Sequence, residues 1–425
     1  MAILLISVFV LGYLAIAFEH PLQLNKAASA LITGVLCWTV YILHNHEKDV
    51  VSDELLHHLG EIASILFFLL GAMTIVELID SHNGFDIITE KIKTTSKRRL
   101  LLMVTALTFF LSALLDNLTT AIVMTSLCAK ILHQKEDRLW FAGMIVIAAN
   151  AGGAWSPLGD VTTTMLWIGG QITALNIMKE LILPSIVVCL LPALIVSYRF
   201  RGQRFAAVPK STCTAREKKE GKIILFSGVG FLVFVPAFKT LTHLPPFMGI
   251  LLALGFMWLI TTIVHKGKDI QTLERYTVAR ALQKVDTPSI LFFLGILLAV
   301  AALQSFGLLK ELAALLSVTL KNDYTIGTSL GLLSAIVDNV PLVAAAQGMY
   351  SLSDYPTDHH FWEFLALTTG TGGSAIIIGS AAGVAVMGIE RIRFMWYLKK
   401  ISVLALVGFV GGIAIFLLQL QFSQS

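Results

Sequence analysis

The stretch Leu100-Leu-Leu-Met-Val-Thr-Ala-Leu-Thr-Phe-Phe-Leu-Ser-Ala-Leu-Leu-Asp116-Asn117-Leu-Thr-Thr-Ala-Ile-Val-Met-Thr-Ser-Leu-Cys-Ala-Lys-Ile-Leu132 reads as apolar helix on either side of one acidic break. Lys97, Arg98 and Arg99 precede it, and Lys130, Lys135 and Arg138 gather at its end. Basic residues mark the cytoplasmic flank of a membrane segment, so both ends fall on one side. Each arm of about 16 residues makes roughly 24 Å of helix, short of the hydrocarbon thickness of a bilayer. The run 100–132 is therefore predicted to be a re-entrant hairpin with Asp116-Asn117 at its tip. The run 325–350 repeats the pattern around Asp338-Asn339-Val340-Pro341. Pro341 suits the first position of a new helix, where its missing N–H would have had no partner.

The rest of the chain has the same solvent. Of its 425 residues, 56% are hydrophobic and 14% charged, too few polar groups to clothe a soluble protein of this size. That excludes a cytosolic enzyme, a nucleic-acid binder and a disordered scaffold, and the net charge of +4 implies no acidic partner. Cys37, Cys128 and Cys189 lie in apolar stretches, so no disulfide framework is readable. Met1 to Phe18 hold no Lys or Arg, so the apolar run ending at Ala15-Ile16-Ala17 lacks the basic region of a cleavable leader. With each hairpin counted as no net crossing, ten full spans remain. That count puts 26 of the 31 Lys and Arg on one side and only Lys48, Lys179, Lys239, Lys310 and Lys321 on the other. Both termini are then predicted outside, and a bacterial inner membrane is the expected location.

An internal repeat organises these spans. Glu61-Ile-Ala-Ser-Ile-Leu-Phe-Phe-Leu returns as Asp286-Thr-Pro-Ser-Ile-Leu-Phe-Phe-Leu, Leu115-Asp-Asn as Val337-Asp-Asn, and Asn150-Ala-Gly-Gly-Ala as Gly370-Thr-Gly-Gly-Ser. The order is kept and the offsets are 225, 222 and 220. Five crossings per copy, an odd number, invert the second copy. The fold class is thus an all-α polytopic membrane protein of two inverted repeats, 1–200 and 223–425, joined by a basic linker, 201–222. Inverted repeats with broken helices at the bilayer midplane are the pattern of secondary transporters.

Asp116 and Asp338 sit at the two predicted tips, and an intramembrane carboxylate is costly enough to be functional by default. A carboxylate satisfied by a neighbouring helix is the bland alternative, weakened by the symmetry of the pair. In the segment 139–170, Gly152, Gly153, Pro157 and Gly159 unwind a helix beside Asn150, Asp160, Thr162 and Thr163. Irregular backbone at that depth is tolerated only where it lines a cavity. Carboxylate, amide, hydroxyl and freed carbonyl oxygens suit a hard cation. The segment 361–388 is broken as well, but Asp160 aligns there with Ser380 and Asn150 with Gly370. The first half should therefore hold the tighter ion. Asp338 becomes the candidate proton carrier, since Asn339, Ser334 and Ser374 around it are neutral. Glu61 and Asp286 are expected to cap equivalent spans at opposite faces, as helix-end acids or on a proton route. His57 and His58 are placed in an outer loop, and Trp140, Trp362 and Trp396 in an interface belt. Leu158-Gly159-Asp160 also resembles the end of the motif of intramembrane aspartyl proteases, but position 157 is Pro and no partner motif is present.

Four motifs are similar to those of the NhaD-type sodium/proton antiporters, in the superfamily that also holds arsenite pumps and dicarboxylate transporters. They are Ser112-Ala-Leu-Leu-Asp-Asn-Leu-Thr-Thr, Asn150-Ala-Gly-Gly-Ala-Trp-Ser-Pro-Leu-Gly-Asp-Val-Thr-Thr, Val285-Asp-Thr-Pro-Ser-Ile-Leu-Phe-Phe and Ser334-Ala-Ile-Val-Asp-Asn-Val-Pro-Leu-Val. The resemblance covers the whole chain. It implies two hairpins, two discontinuous helices, an ion site between them and a homodimer in the lipid bilayer. It also implies no cofactor beyond the transported Na⁺ or Li⁺ and H⁺, and maps the site onto Glu61, Asp116, Asn117, Thr119, Asn150, Asp160, Thr162, Thr163, Asp286, Ser334, Asp338, Asn339 and Ser374. Sodium is expected at Asp116, Asn117, Asn150 and Asp160. An anion transporter of the arsenite or dicarboxylate type is the alternative, although acidic hairpin tips repel a carboxylate substrate.

Overall fold

The computed structural model describes residues 2–17, 24–45, 47–85, 94–205, 214–266 and 276–424, and among them every regular element is a helix. Eight of these helices are long and apolar enough to cross a membrane. The order begins α1 (Ala2–Ala17), α2 (Lys26–His44), α3 (Lys48–Ser81), α4 (Lys97–Leu115), α5 (Asn117–Ile131), α6 (Lys135–Ala154), α7 (Val161–Ile168) and α8 (Ala174–Arg199). It continues α9 (Ala215–Thr242), α10 (Pro246–Val264), α11 (Val278–Lys284), α12 (Thr287–Ser305), α13 (Leu308–Leu320), α14 (Asp323–Leu333) and α15 (Asn339–Met349). The last four are α16 (His360–Gly372), α17 (Ala381–Glu390), α18 (Phe394–Lys400) and α19 (Ser402–Gln424). The protein is a multi-pass integral membrane protein.

Side-chain pairs sort the helix ends onto two faces. On one, Lys97 at the start of α4 donates to Gln134 just past the end of α5 at 3.1 Å and pairs with Asp137 at 2.5 Å. Arg138 meets Glu390 at 3.0 Å and Lys284 meets Glu77 at 2.7 Å on this face. On the opposite face Tyr41 donates to Glu54 at 3.1 Å, His58 bonds Ser305 at 3.1 Å and the Lys239 ammonium donates to the Trp167 carbonyl at 2.6 Å.

Close backbone approach is built from glycine. A Cβ at Gly152 of α6 would fall on the Phe109 carbonyl of α4, and one at Gly372 of α16 on the Gly331 carbonyl of α14. Overpacking of this kind typically destabilises by about 1–3 kcal/mol. Gly152→Ala and Gly372→Ala should each lower the Tm of the detergent-solubilised protein; an unchanged Tm would show that these helix pairs separate freely.

Four local expectations are corrected. The helix carrying Glu61 begins at Lys48, so Glu61 lies well inside α3 and only Asp286 is a cap. His57 and His58 are on the same helix, because no proline interrupts the segment from 48 and the lone Gly60 is tolerated inside it. Pro341 is the third residue of α15, one turn inside its Asp338 cap. Trp362 is fully buried rather than interfacial, its indole N–H bound to the Tyr355 carbonyl. Part of the linker is helical from Ala215, started by a Thr214–Glu217 capping box, while Pro209 lies outside the described residues.

Candidate functional site

Four short helices start beside one another at the centre of the molecule, and each start is capped by a side chain the sequence supplies. Asp116 caps α5, taking the Thr119 N–H and hydroxyl at 2.8 Å each. Asp160 caps α7 through the Thr162 N–H at 3.1 Å, and Asp338 caps α15 through the Val340 N–H at 3.2 Å. Ser380 caps α17 through the Gly383 N–H at 3.2 Å, with φ and ψ of −145° and 151° against −146° and 145° at Asp160. Helix starts favour anions, each carrying about half a positive charge. Three of the four are answered by the protein's own carboxylates. The chain turns between α4 and α5 at Asp116, whose φ and ψ of 78° and 155° lie outside the left-handed helical region in a conformation almost confined to glycine, so backbone strain is held at this position.

Asp160 is the hub. Its carboxylate accepts from the Asn117 amide at 2.9 Å and from the Asn339 amide at 3.2 and 3.4 Å, so the residues after both tip aspartates converge on it from the two halves. Asn117 also donates to the Asn150 side-chain Oδ1 at 3.2 Å, and the Asn150 side-chain amide donates to Ser374 and Ser380 at 2.9 Å each. Asp160 is 2% exposed and Asn150 0%, so this polar network is sealed in a low-dielectric interior. Asp116, Asn117 and Asp160 line a cavity of about 50 Å³ whose other walls include Phe68, Leu69 and Phe293. It has room for a few waters or a small ion.

Other expected residues serve the scaffold. The Thr163 hydroxyl bridges the break by donating to the Gly153 and Asp160 carbonyls, at 3.3 and 3.0 Å. Ser334 donates to the Thr369 carbonyl at 2.7 Å, as Ser112 does to Ala149 at 2.6 Å. Glu61 lines a separate cavity of about 410 Å³ with His58, Gln171, Gln304 and Gln347. Asp286 lines another of about 260 Å³ with Lys26. The expectation that Asp338 has only neutral neighbours does not hold: Lys26 acts on it electrostatically and Tyr13 lies against its backbone. Ser380 as an Asn150 partner and Lys26 were missed. Ser380 was visible only as the residue aligned with Asp160, and Lys26 only as one more basic residue.

A citrate transporter family model matches residues 13–372. The chain belongs to the citrate transporter family. Within it, the chain is 47% identical over 410 residues to sodium/proton antiporter 1 of Arabidopsis thaliana, covering 96% of this chain and 71% of that protein. It is 43% identical to sodium/proton antiporter 2 of the same plant, covering 96% of this chain and 97% of the relative. The Na(+)/H(+) antiporter NhaD of Vibrio cholerae is 32% identical, with 97% of this chain and 90% of that protein aligned. The NhaD-type resemblance carried by the four motifs therefore extends along the chain, and the aligned relatives are transporters rather than enzymes. The protease reading of Leu158-Gly159-Asp160 falls with that result.

Proposed function

We propose that this family member is a secondary active transporter exchanging Na⁺ (or Li⁺) for H⁺ at one site built around Asp160, extruding sodium and adjusting pH. The observation that carries this reading is a buried carboxylate held by amides from both halves, beside a cavity with room for a small ion and a few waters. The named relatives support it. The family model's description invites a citrate reading, but Asp116, Asp160 and Asp338 crowd the site, and the hydrogen-bond partners found for Asp160 include no Lys, Arg or His. A polyanion would meet like charge there. A proton and a sodium ion compete for the same carboxylate oxygens, so exposing the site alternately to the two sides couples the fluxes without a second pathway.

The duplicated contacts support a pair of structural repeats, which we take to be inverted on the odd number of crossings in each: Ser112 to Ala149 beside Ser334 to Thr369, and Gly152 on Phe109 beside Gly372 on Gly331. The Lys97–Gln134 bond joins the outer ends of α4 and α5, in keeping with a re-entrant hairpin. We assign the basic face to the cytoplasm and both termini to the outside, and we take the assembly to be a homodimer. The bacterial inner membrane expected from the sequence stays a proposal beside plant relatives at 47% and 43% identity. Cysteines at Arg99 and Lys135, both exposed, should label with impermeant reagents from the cytoplasmic side only. Labelling of either from outside would overturn the topology.

The function is tested in everted vesicles by recovery of pH-gradient fluorescence on adding NaCl, LiCl, KCl, citrate, arsenite or succinate. NaCl or LiCl should dissipate the gradient. A response to citrate, arsenite or succinate with none to sodium would replace this reading with the anion one.

A further inference from the structure

The cavity that Lys26 and Asp286 share opens beside the N-termini of α2, α12 and α17, with Asn25, Leu118, Ser289 and Ala381 also in its wall. Leu118, Ser289 and Ala381 line the small cavity at Asp116 and Asp160 as well, so one continuous lining leads from Lys26 to the site. Lys26 is badly placed by local rules. It is the first residue of α2, where a cation opposes the helix dipole, and the cap itself is made by Asn25 accepting the Ala27 N–H at 2.9 Å. Its ammonium is instead held 4.9 Å over the Phe292 ring of α12. A residue kept against its local preference marks a position with another use.

We propose that Lys26 is a fixed counter-charge at the inner mouth of the ion path, which lowers cation occupancy there and so sets the sodium affinity of the transporter on the basic face. The inference rests on the antiport reading and adds to it the residue that determines affinity. Facing groups are Asp286 across the cavity and Asp338 and Tyr13 on the site side, so Lys26 is the cation among acids. Na⁺ moving inward from this face passes an ammonium before it meets the carboxylates. Removing that charge leaves the mouth acidic, which concentrates cations.

The test uses the full-length transporter in everted vesicles, where the basic face is outward. Lys26→Gln should lower the half-saturating Na⁺ concentration roughly tenfold, the order of effect that one unit charge exerts over a short, partly hydrated path. Lys26→Arg should behave as the parent, and Asp286→Asn should move affinity the other way. Lys26→Cys supplies an independent measure if Lys26→Gln is poorly assembled. Modification with a trimethylammonium thiosulfonate should restore parental affinity, while a sulfonate reagent should tighten sodium binding further; the parent protein treated alike is the control. Equal half-saturation for all Lys26 variants, or equal effects of the two reagents, would overturn the proposal while leaving Asp160-dependent antiport standing. No sodium response in the parent protein would instead remove the antiport reading on which it rests.

Discussion

Asp160→Asn is expected to abolish sodium-dependent proton movement while the protein still reaches the membrane. An amide at this position can still accept the Thr162 N–H with its one oxygen. Its NH₂ group, however, must then face the amides of Asn117 and Asn339, which both donate to the present carboxylate. Two donors meet with no acceptor between them, and a buried unpaired polar group costs about 1–3 kcal/mol. The charge that would bind either cation is lost as well. Vesicle fluorescence recovery at saturating NaCl is the measurement, with membrane quantity checked by blotting. Rates within a few-fold of the parent would take Asp160 out of the site. In the parent, because the proton must leave before sodium binds, half-saturating Na⁺ should fall by up to about tenfold per pH unit as pH rises through the range where the site is mostly protonated.

Asp116 calls for a paired experiment, since it is both a helix cap and a charge on the small cavity. Asp116→Asn keeps an oxygen for the Thr119 N–H and adds no backbone strain beyond what the parent already holds at this position, so the fold should survive with Tm close to the parent. Transport should nonetheless be lost, because the charge is gone. Asp116→Ala removes the cap as well, a change of about 0.5–2 kcal/mol on typical scales, and should lower Tm in addition to inactivating the protein. Normal transport in Asp116→Asn would reduce Asp116 to a cap.

The all-α, multi-pass character was legible because membrane physics leaves few alternatives. Length, hydropathy and the sorting of basic residues bounded the helices, and glycine and proline in 152–159 located the break between α6 and α7. Asp160, Asn150 and Asn117 could be chosen because polar groups at that depth need a reason to be there. What the pattern could not show was direction. Each Asp-Asn pair carries two oxygen-bearing side chains, and only packing decides that the aspartates turn back to cap their own helices while the asparagines reach forward to Asp160. The extension of α3 back to Lys48 was hidden for a related reason, since His57, His58 and Asp53 look like a loop until the helix turns His58 inward to Ser305 and leaves His57 exposed. Lys26 was invisible because its meaning lies in Asp286 and Asp338, residues distant in sequence.

The four capped helix starts carry a consequence for how cargo is chosen in this family. A frame in which several backbone amide ends converge is, unadorned, a receptor for negative groups. Here Asp116, Asp160 and Asp338 occupy three of those ends from within, and Ser380 leaves the fourth neutral. On the antiport reading proposed above, the sign of the passenger is set by a handful of cap side chains rather than by the helices that present them. On that reading, replacing these cap carboxylates with hydroxyls is expected to shift the same frame from cations toward anions.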